Sequence, residues 1–331
     1  MLYMSELNKK NCYLCKQIFD VHNEYNLNLY CGDSLIMNPL EIWGVEKFDI
    51  IMGNPPYNKD NTGTGNSVWQ IFVEKAFKIV KRCGYISMIH PAGWRKPSTS
   101  NCKFRNLYRL MTLENQMLYL SIYGLKDSRI FFNFGTRVDC YLIENRVCYK
   151  ETLIKDEKKK EHYIKLNNSC FTKWLPNSNY EEVTKIISTE NDNNLQIVCD
   201  FQYSRLKKDI TSFISDDKFK YQIVYLTPKK GVRYMYSKYN DRGHFGISKV
   251  IIGESGLECA INDYNGKYGM TQDSFGIIIE SCKVGEQILE AIMSNKFKDI
   301  LKSCSWSNFR IDYRLFTYFK KDFWKEFITT A

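Results

Sequence analysis

The sequence predicts an α/β protein, with a doubly wound, mostly parallel sheet over residues 1–150 and a second, mixed α/β domain over 151–331. Three observations carry this. Apolar runs alternate with helical spacing in the first half, an apolar strand stops abruptly at Gly53-Asn54-Pro55-Pro56, and after the charge run Lys155–Glu161 the pattern turns short, aromatic and β-like.

Taken in order, residues 8–23 read as an amphipathic helix, and 27–35 as a short strand ending in a polar turn. Phe48–Met52 is a more continuous, buried strand. It must end at Pro55-Pro56, because proline cannot donate to a ladder. Asn58–Asn66 is polar and glycine-containing, a mobile loop. From Val68 to Lys81 the residues Val68, Ile71, Phe72, Ala76, Ile79 and Val80 share one helical face, and Gly84 ends that helix before the strand Tyr85–Ile89. Strand, helix, strand implies parallel pairing. A helix over 104–118 leads to a strand Leu118–Ile122, and Val138–Ile143 follows the aromatic stretch Phe131-Phe132-Asn133-Phe134. The charge run reads as a solvated boundary segment. The aromatics from Trp306 to Phe327 are expected to pack back on the body.

Composition narrows the function. With 44% hydrophobic residues a sizeable core can form. No run of about 18 apolar residues exists, so no membrane helix is expected. Met1–Lys10 lacks the apolar stretch of a signal peptide, which implies an intracellular protein, cytoplasmic or nucleoid-associated. Cys12-x-x-Cys15 has no second pair and the four His do not complete a zinc site, so the 12 cysteines read as reduced, mostly buried thiols and no metal is expected. Net charge is +10, and between Arg205 and Lys249 eleven Lys or Arg stand against four Asp. That is the footprint of phosphate binding. Within it, the segment Thr227–Tyr234 interleaves the cations Lys229, Lys230 and Arg233 with an aromatic, a pattern suited to phosphate contact and stacking.

The chemistry is carried by Asn54-Pro55-Pro56-Tyr57. An exocyclic amino group is a poor nucleophile, because its lone pair is delocalised into the ring. Two acceptors in one plane, the Asn54 side-chain oxygen and the Pro55 carbonyl, can draw on both amino hydrogens and free that lone pair for attack on a methyl donor. Pro55 and Pro56 stiffen the loop in advance. Tyr57 offers a stacking face for a base flipped out of its duplex. No nucleophilic cysteine, general-base histidine or paired-acid nuclease motif is needed or evident.

Residues 29–143 resemble the gamma-class adenine-specific amino-methyltransferases of restriction–modification systems. Leu29–Leu35 is similar to their acidic motif III, Phe48–Tyr57 to motif IV, Val68–Ala76 to motif V, Gly84–Trp94 to motif VI, and Phe131–Ile143 to motif VIII. The resemblance implies a Rossmann-like methyltransferase fold that moves a methyl group from S-adenosylmethionine to adenine in DNA. It places Asp33 and its neighbour Ser34 at the cofactor's adenine end, with Phe72 packed on that ring. It gives the target base to Asn54, Pro55 and Tyr57, with Phe132 or Phe134 on the base's other face. The family's glycine-containing motif I and acidic motif II should precede Asp33 and are not seen; Gly63-x-Gly65 follows motif IV and is no substitute. The implication is that a second polypeptide supplies motif I, or that the chain is a truncated relative. Two rival readings share the loop: a non-catalytic nucleic-acid-binding subunit, and a methyltransferase acting on RNA adenine or protein glutamine.

Overall fold

The computed structural model describes residues 1–331 except 23, 25, 26, 60–66, 99–102, 190, 191, 200, 202, 205, 307–309 and 329–331. Most of the expected loop Asn58–Asn66, with Gly63-x-Gly65, lies outside the described residues.

The chain opens with β1 (Tyr3–Glu6), α1 (Lys9–Phe19) and β2 (Asn28–Cys31), and β1 and β2 pair in parallel. The Asn8 side chain caps α1 by accepting from the Lys10 amide. A short α2 (Pro39–Trp43) has proline in its first turn and ends on Gly44 at φ 67°. There follow β3 (Phe48–Gly53), α3 (Trp69–Ile79), β4 (Val80–Pro91), α4 (Lys103–Thr112), β5 (Gln116–Tyr123), α5 (Leu125–Phe132), β6 (Val138–Glu144), β7 (Thr152–Lys155) and β8 (Glu161–Ile164). Six of these strands form one sheet in the order β3-β4-β6-β5-β7-β8.

Several expectations are corrected here. The sheet is mixed rather than mostly parallel: β3–β4 and β5–β7 are parallel, but β6 runs antiparallel between β4 and β5. The cause is local, since α5 returns the chain to the end where β5 finishes and Tyr123 pairs with Val138. Helix α3 stops at Ile79, because Val80 already pairs with Phe48. Gly84 instead lies inside β4, where a Cβ would come 2.7 Å from the Asp49 carbonyl. The buried face of α3 is Trp69, Val73 and Ala76, and Ile71 is exposed. Helix α4 ends well before residue 118, closed by the Leu113 and Glu114 amides bonding to the Arg109 carbonyl. The charge run Lys155–Glu161 is the β7–β8 hairpin rather than a solvated linker; Asp156 is buried, and Glu157 pairs with Arg137 at 2.8 Å. This hairpin, past residue 150, extends the first sheet.

Two further differences bear on the site. β3 was expected to be buried, yet Ile50 is 59% and Met52 78% exposed. Among the described residues β3 pairs only with β4, and β1–β2 is a separate sheet. Rings rather than backbone bonds bridge the two sheets: Tyr3 lies 5.4 Å from Phe48 and 5.1 Å from Trp43. Cys12 and Cys31 were expected to be reduced, but they are joined as a disulfide. Helix α1 packs over β2 and brings their Cα atoms to 6.1 Å, within disulfide range. Nor are the described free thiols mostly buried; Cys148 and Cys304 are, whereas Cys83 and Cys282 are exposed.

The second half holds α6 (Tyr180–Ile186), β9 (Ile197–Cys199), β10 (Thr211–Ser212), β11 (Tyr221–Leu226), β12 (Arg233–Ser237), β13 (Lys249–Gly253), β14 (Gly256–Asp263), β15 (Gly269–Met270) and β16 (Ser274–Ile278). These strands make two four-stranded sheets, β10-β12-β11-β15 and β14-β13-β16-β9. Then come α7 (Cys282–Met293), α8 (Asn295–Ser303) and α9 (Tyr313–Phe316). One apolar cluster joins Trp69, Ile86 and Tyr141 of the first half to Trp174, Phe316, Phe319 and Phe323, so the C-terminal aromatics do pack on the body. Polar groups reinforce that junction. Arg95 and Asp139 are fully buried, and the guanidinium grips both carboxylate oxygens at 2.7 and 3.0 Å. Arg95 also donates to the Leu175 and Pro176 carbonyls and to Asn177, while Trp94 Nε1 donates to Asp139.

Candidate active site

The candidate reaction loop leaves the carboxyl end of β3, where parallel strands direct the following chain out of the sheet. Asn54 is exposed, Pro55 buried, Pro56 exposed and Tyr57 half-buried. The loop is pinned behind Tyr57: the Tyr57 carbonyl accepts the Val68 amide at 3.1 Å, and Asn58 bridges Ser67. Ser67 and Gln70 hydrogen-bond each other across the start of α3, closing its first turn. Tyr57 meets Phe134 edge-on at 4.7 Å. Phe132 packs on Tyr123 instead, at 5.2 Å. Of the two aromatics that the sequence offered, Phe134 is the one beside the loop. Burial raises the Tyr57 phenol above its ordinary pKa, so it remains uncharged.

Behind the loop, Trp69 stacks on His90 at 4.1 Å and on Phe104 at 5.5 Å. His90 is fully buried, and its Nε2 shares a hydrogen bond with the Tyr141 hydroxyl. Burial lowers its pKa to about 3, so the imidazole is neutral at physiological pH. It packs between Trp69 and Tyr141, without exposure to solvent.

The candidate cofactor residues lie on neighbouring elements. Asp33 sits just past the end of β2, half-buried, with Oδ1 accepting the Leu35 amide at 2.9 Å. Ser34 Oγ is 2.7 Å from Ser5 Oγ, which ties this turn to β1. Lys75, three residues beyond Phe72 on α3, donates to the Met37 carbonyl at 2.8 Å and holds the same turn against that helix. Phe72 is half-buried and not part of the core face. A further carboxylate that the sequence did not single out lies here. Glu6 ends β1 beside β2, with its Oε1 accepting the Asn8 amide at 2.7 Å. Its signal was a four-residue strand too short to show alternation.

Residues 4–131 match the family model described as Eco57I restriction-modification methylase. An uncharacterised adenine-specific methylase of Mycoplasma pneumoniae is 34% identical over 162 residues, 44% of this chain and 35% of that protein. The chain therefore spans about a third of the length of this curated relative. Among solved structures, the type IIL restriction-modification enzyme MmeI, in complex with DNA, aligns over 95% of this chain and 54% of its own, with TM-score 0.53 and 8% identity. The two share a fold along both halves of this chain. The methyltransferase subunit of a type I restriction-modification system from Streptococcus thermophilus aligns over 47% of this chain and 36% of its own, with TM-score 0.35 and 17% identity.

The three cations proposed for phosphate contact cluster at one hairpin. Lys229 and Lys230 are exposed at the tip joining β11 and β12, and Arg233 is exposed as β12 begins. The turn needs glycine at 231, where φ is +114°. Thr227 locks it to the next hairpin: its Oγ1 accepts the Gly253 amide and donates to the Gly256 carbonyl, both at 2.8 Å. Lys249, counted within the basic segment, is buried and paired with Asp263 at 2.8 Å, so it adds nothing to the surface charge. Replacing Lys229, Lys230 and Arg233 together should weaken DNA binding and flatten its salt dependence by roughly 0.9 in log–log slope per lost duplex contact. Binding measured between low and physiological salt tests this, and an unchanged slope would move the interface elsewhere.

Proposed function

We propose that this chain transfers a methyl group from S-adenosylmethionine to the exocyclic amino group of adenine in DNA, within a restriction–modification system. The observation that carries the reading is the placement of Asn54-Pro55-Pro56-Tyr57 at the carboxyl end of β3, with Tyr57 against Phe134. Asn54 and the Pro55 carbonyl accept the two amino hydrogens, and Pro56 holds the turn. Tyr57 and Phe134 take the faces of the extruded base, parting from their edge-on contact to admit it. Such a protein works where DNA is, in the cytoplasm or on the nucleoid.

The residues present suit the adenosine end of the cofactor. Asp33 and Glu6 end adjacent parallel strands and supply carboxylate acceptors, the Ser34–Ser5 contact fixes their spacing, and Phe72 supplies a ring. When bound, the cofactor supplies the electrophilic methyl group. The open edge of β3, its exposed Ile50 and Met52, and the ring-bridged separation from β1 support a further proposal, that another strand carrying a glycine turn completes the sheet there and holds the methionine end.

The test is methyl transfer from labelled cofactor to adenine-containing DNA, with and without a polypeptide bearing that strand. Equilibrium dialysis of residues 1–331 should show weak or no cofactor binding, with binding and transfer appearing together on completion. Micromolar binding and transfer by residues 1–331 alone would overturn the need for a completing strand. No transfer in the completed assembly would overturn the function.

A further inference from the structure

A cleft of about 660 Å³ opens beside Tyr57 and Asn58, at the end of the proposed reaction loop. Tyr57 and Phe134 line one wall, and the C-terminal segment Arg310–Leu315 lines the other. Its volume lies within the range of small-molecule pockets, with room for a base and the backbone attached to it. Among the described residues three cations line it: Lys96, which lies over the Phe104 ring, Arg314, which pairs with Asp312, and Arg310. Its Nη1 is held by Glu254 at 3.2 Å and Asp273 at 3.0 Å, yet its side chain remains 61% exposed. Both carboxylates engage the same nitrogen, and no described residue engages Nε or Nη2. A guanidinium so held is pre-oriented, with the rest of its fork available to an oxyanion. Glu254 follows Gly253, the residue that packs against Thr227 at the root of the Lys229–Lys230 hairpin.

We propose that Arg310 binds a phosphodiester of the target strand beside the extruded nucleotide, so that the C-terminal segment forms the second jaw of the substrate cleft. This rests on the base-extrusion reading above. The phosphate meets the free edge of the fork, while Glu254 and Asp273 stop the side chain from swinging away. Sequence distance hid the pairing, since Tyr57 and Arg310 are some 250 residues apart.

The experiment uses the whole chain and a short single-stranded oligonucleotide containing a fluorescent adenine analogue that brightens when unstacked. Arg310→Gln should weaken binding on the order of tenfold. It should also flatten the salt slope by roughly 0.7, the value for one single-strand contact. Arg310→Lys retains a charge for Glu254 and Asp273, and should keep the slope while binding several-fold more weakly, for want of the fork. A wild-type slope in Arg310→Gln overturns the proposal. If that variant does not fold, wild-type affinity in Arg310→Lys overturns it. Loss of slope without any brightening in the parent protein upholds Arg310 and removes base extrusion; no salt-dependent binding by the parent protein removes both.

Discussion

Asn54→Ala should abolish methyl transfer while the protein remains folded. The side chain is exposed at the end of β3, so its loss costs the fold little. Catalysis is another matter. In the proposed reaction the Asn54 oxygen is one of two acceptors for the amino hydrogens, and deleting one preorganised charge-orienting group costs roughly 2.7–4 kcal/mol, on the order of a hundred- to a thousand-fold in rate. Single-turnover transfer in an active assembly is the measurement, with circular dichroism as the check on folding. Near-normal turnover would sink the assignment of this loop as the reaction site.

The second large effect concerns stability. Asp139→Asn should lower the unfolding free energy by about 3–5 kcal/mol, because it leaves the Arg95 charge buried without its counter-ion. That is a large share of the roughly 5–15 kcal/mol typical of a folded protein. A denaturant midpoint that falls at unchanged slope would report it. A loss below about 1 kcal/mol would mean that water or another group reaches the guanidinium, contrary to the full burial of both side chains.

What could be read from the sequence was whatever is local. Asn54–Tyr57 announced itself because proline punctuates a strand within a few residues, and Lys229–Lys230 because clustered charge beside an aromatic is visible in one dimension. The strands at 28–31, 48–53 and 138–144 were found by apolar runs. The face of α3 was misread because Ile71 and Phe72 are apolar without being core, and apolarity cannot distinguish a core face from one left open. The antiparallel insertion of β6 was invisible, since periodicity carries no strand direction. The choice of Phe134 over Phe132 depended on where α5 ends: Asn133 adopts a left-handed conformation, φ 51°, that swings the next ring toward Tyr57. The roles proposed for Glu6 and Arg310 were not legible for opposite reasons, one lying in a strand too short to show a period and the other far along the chain from its partners.

The buried Arg95 fork also sets a timetable for synthesis. Its partners reach to Asn177, which in turn accepts its place from Ser303 and Ser305: the Asn177 amide donates to the Ser303 carbonyl, and its side chain to the Ser305 carbonyl. The guanidinium's own partners are complete once Asn177 has been made, but Asn177 itself is not fully held until some two hundred residues after Arg95. At ribosomal rates of roughly 5–20 residues per second, that is a wait of about 10–40 seconds in which Asp139 can pair with the guanidinium but the C-terminal cover of the cluster and of the apolar sheet is missing. A nascent chain in that interval has every reason to be held by a chaperone, and a translational pause placed before residue 303 would prolong its exposure, whereas one placed after would not.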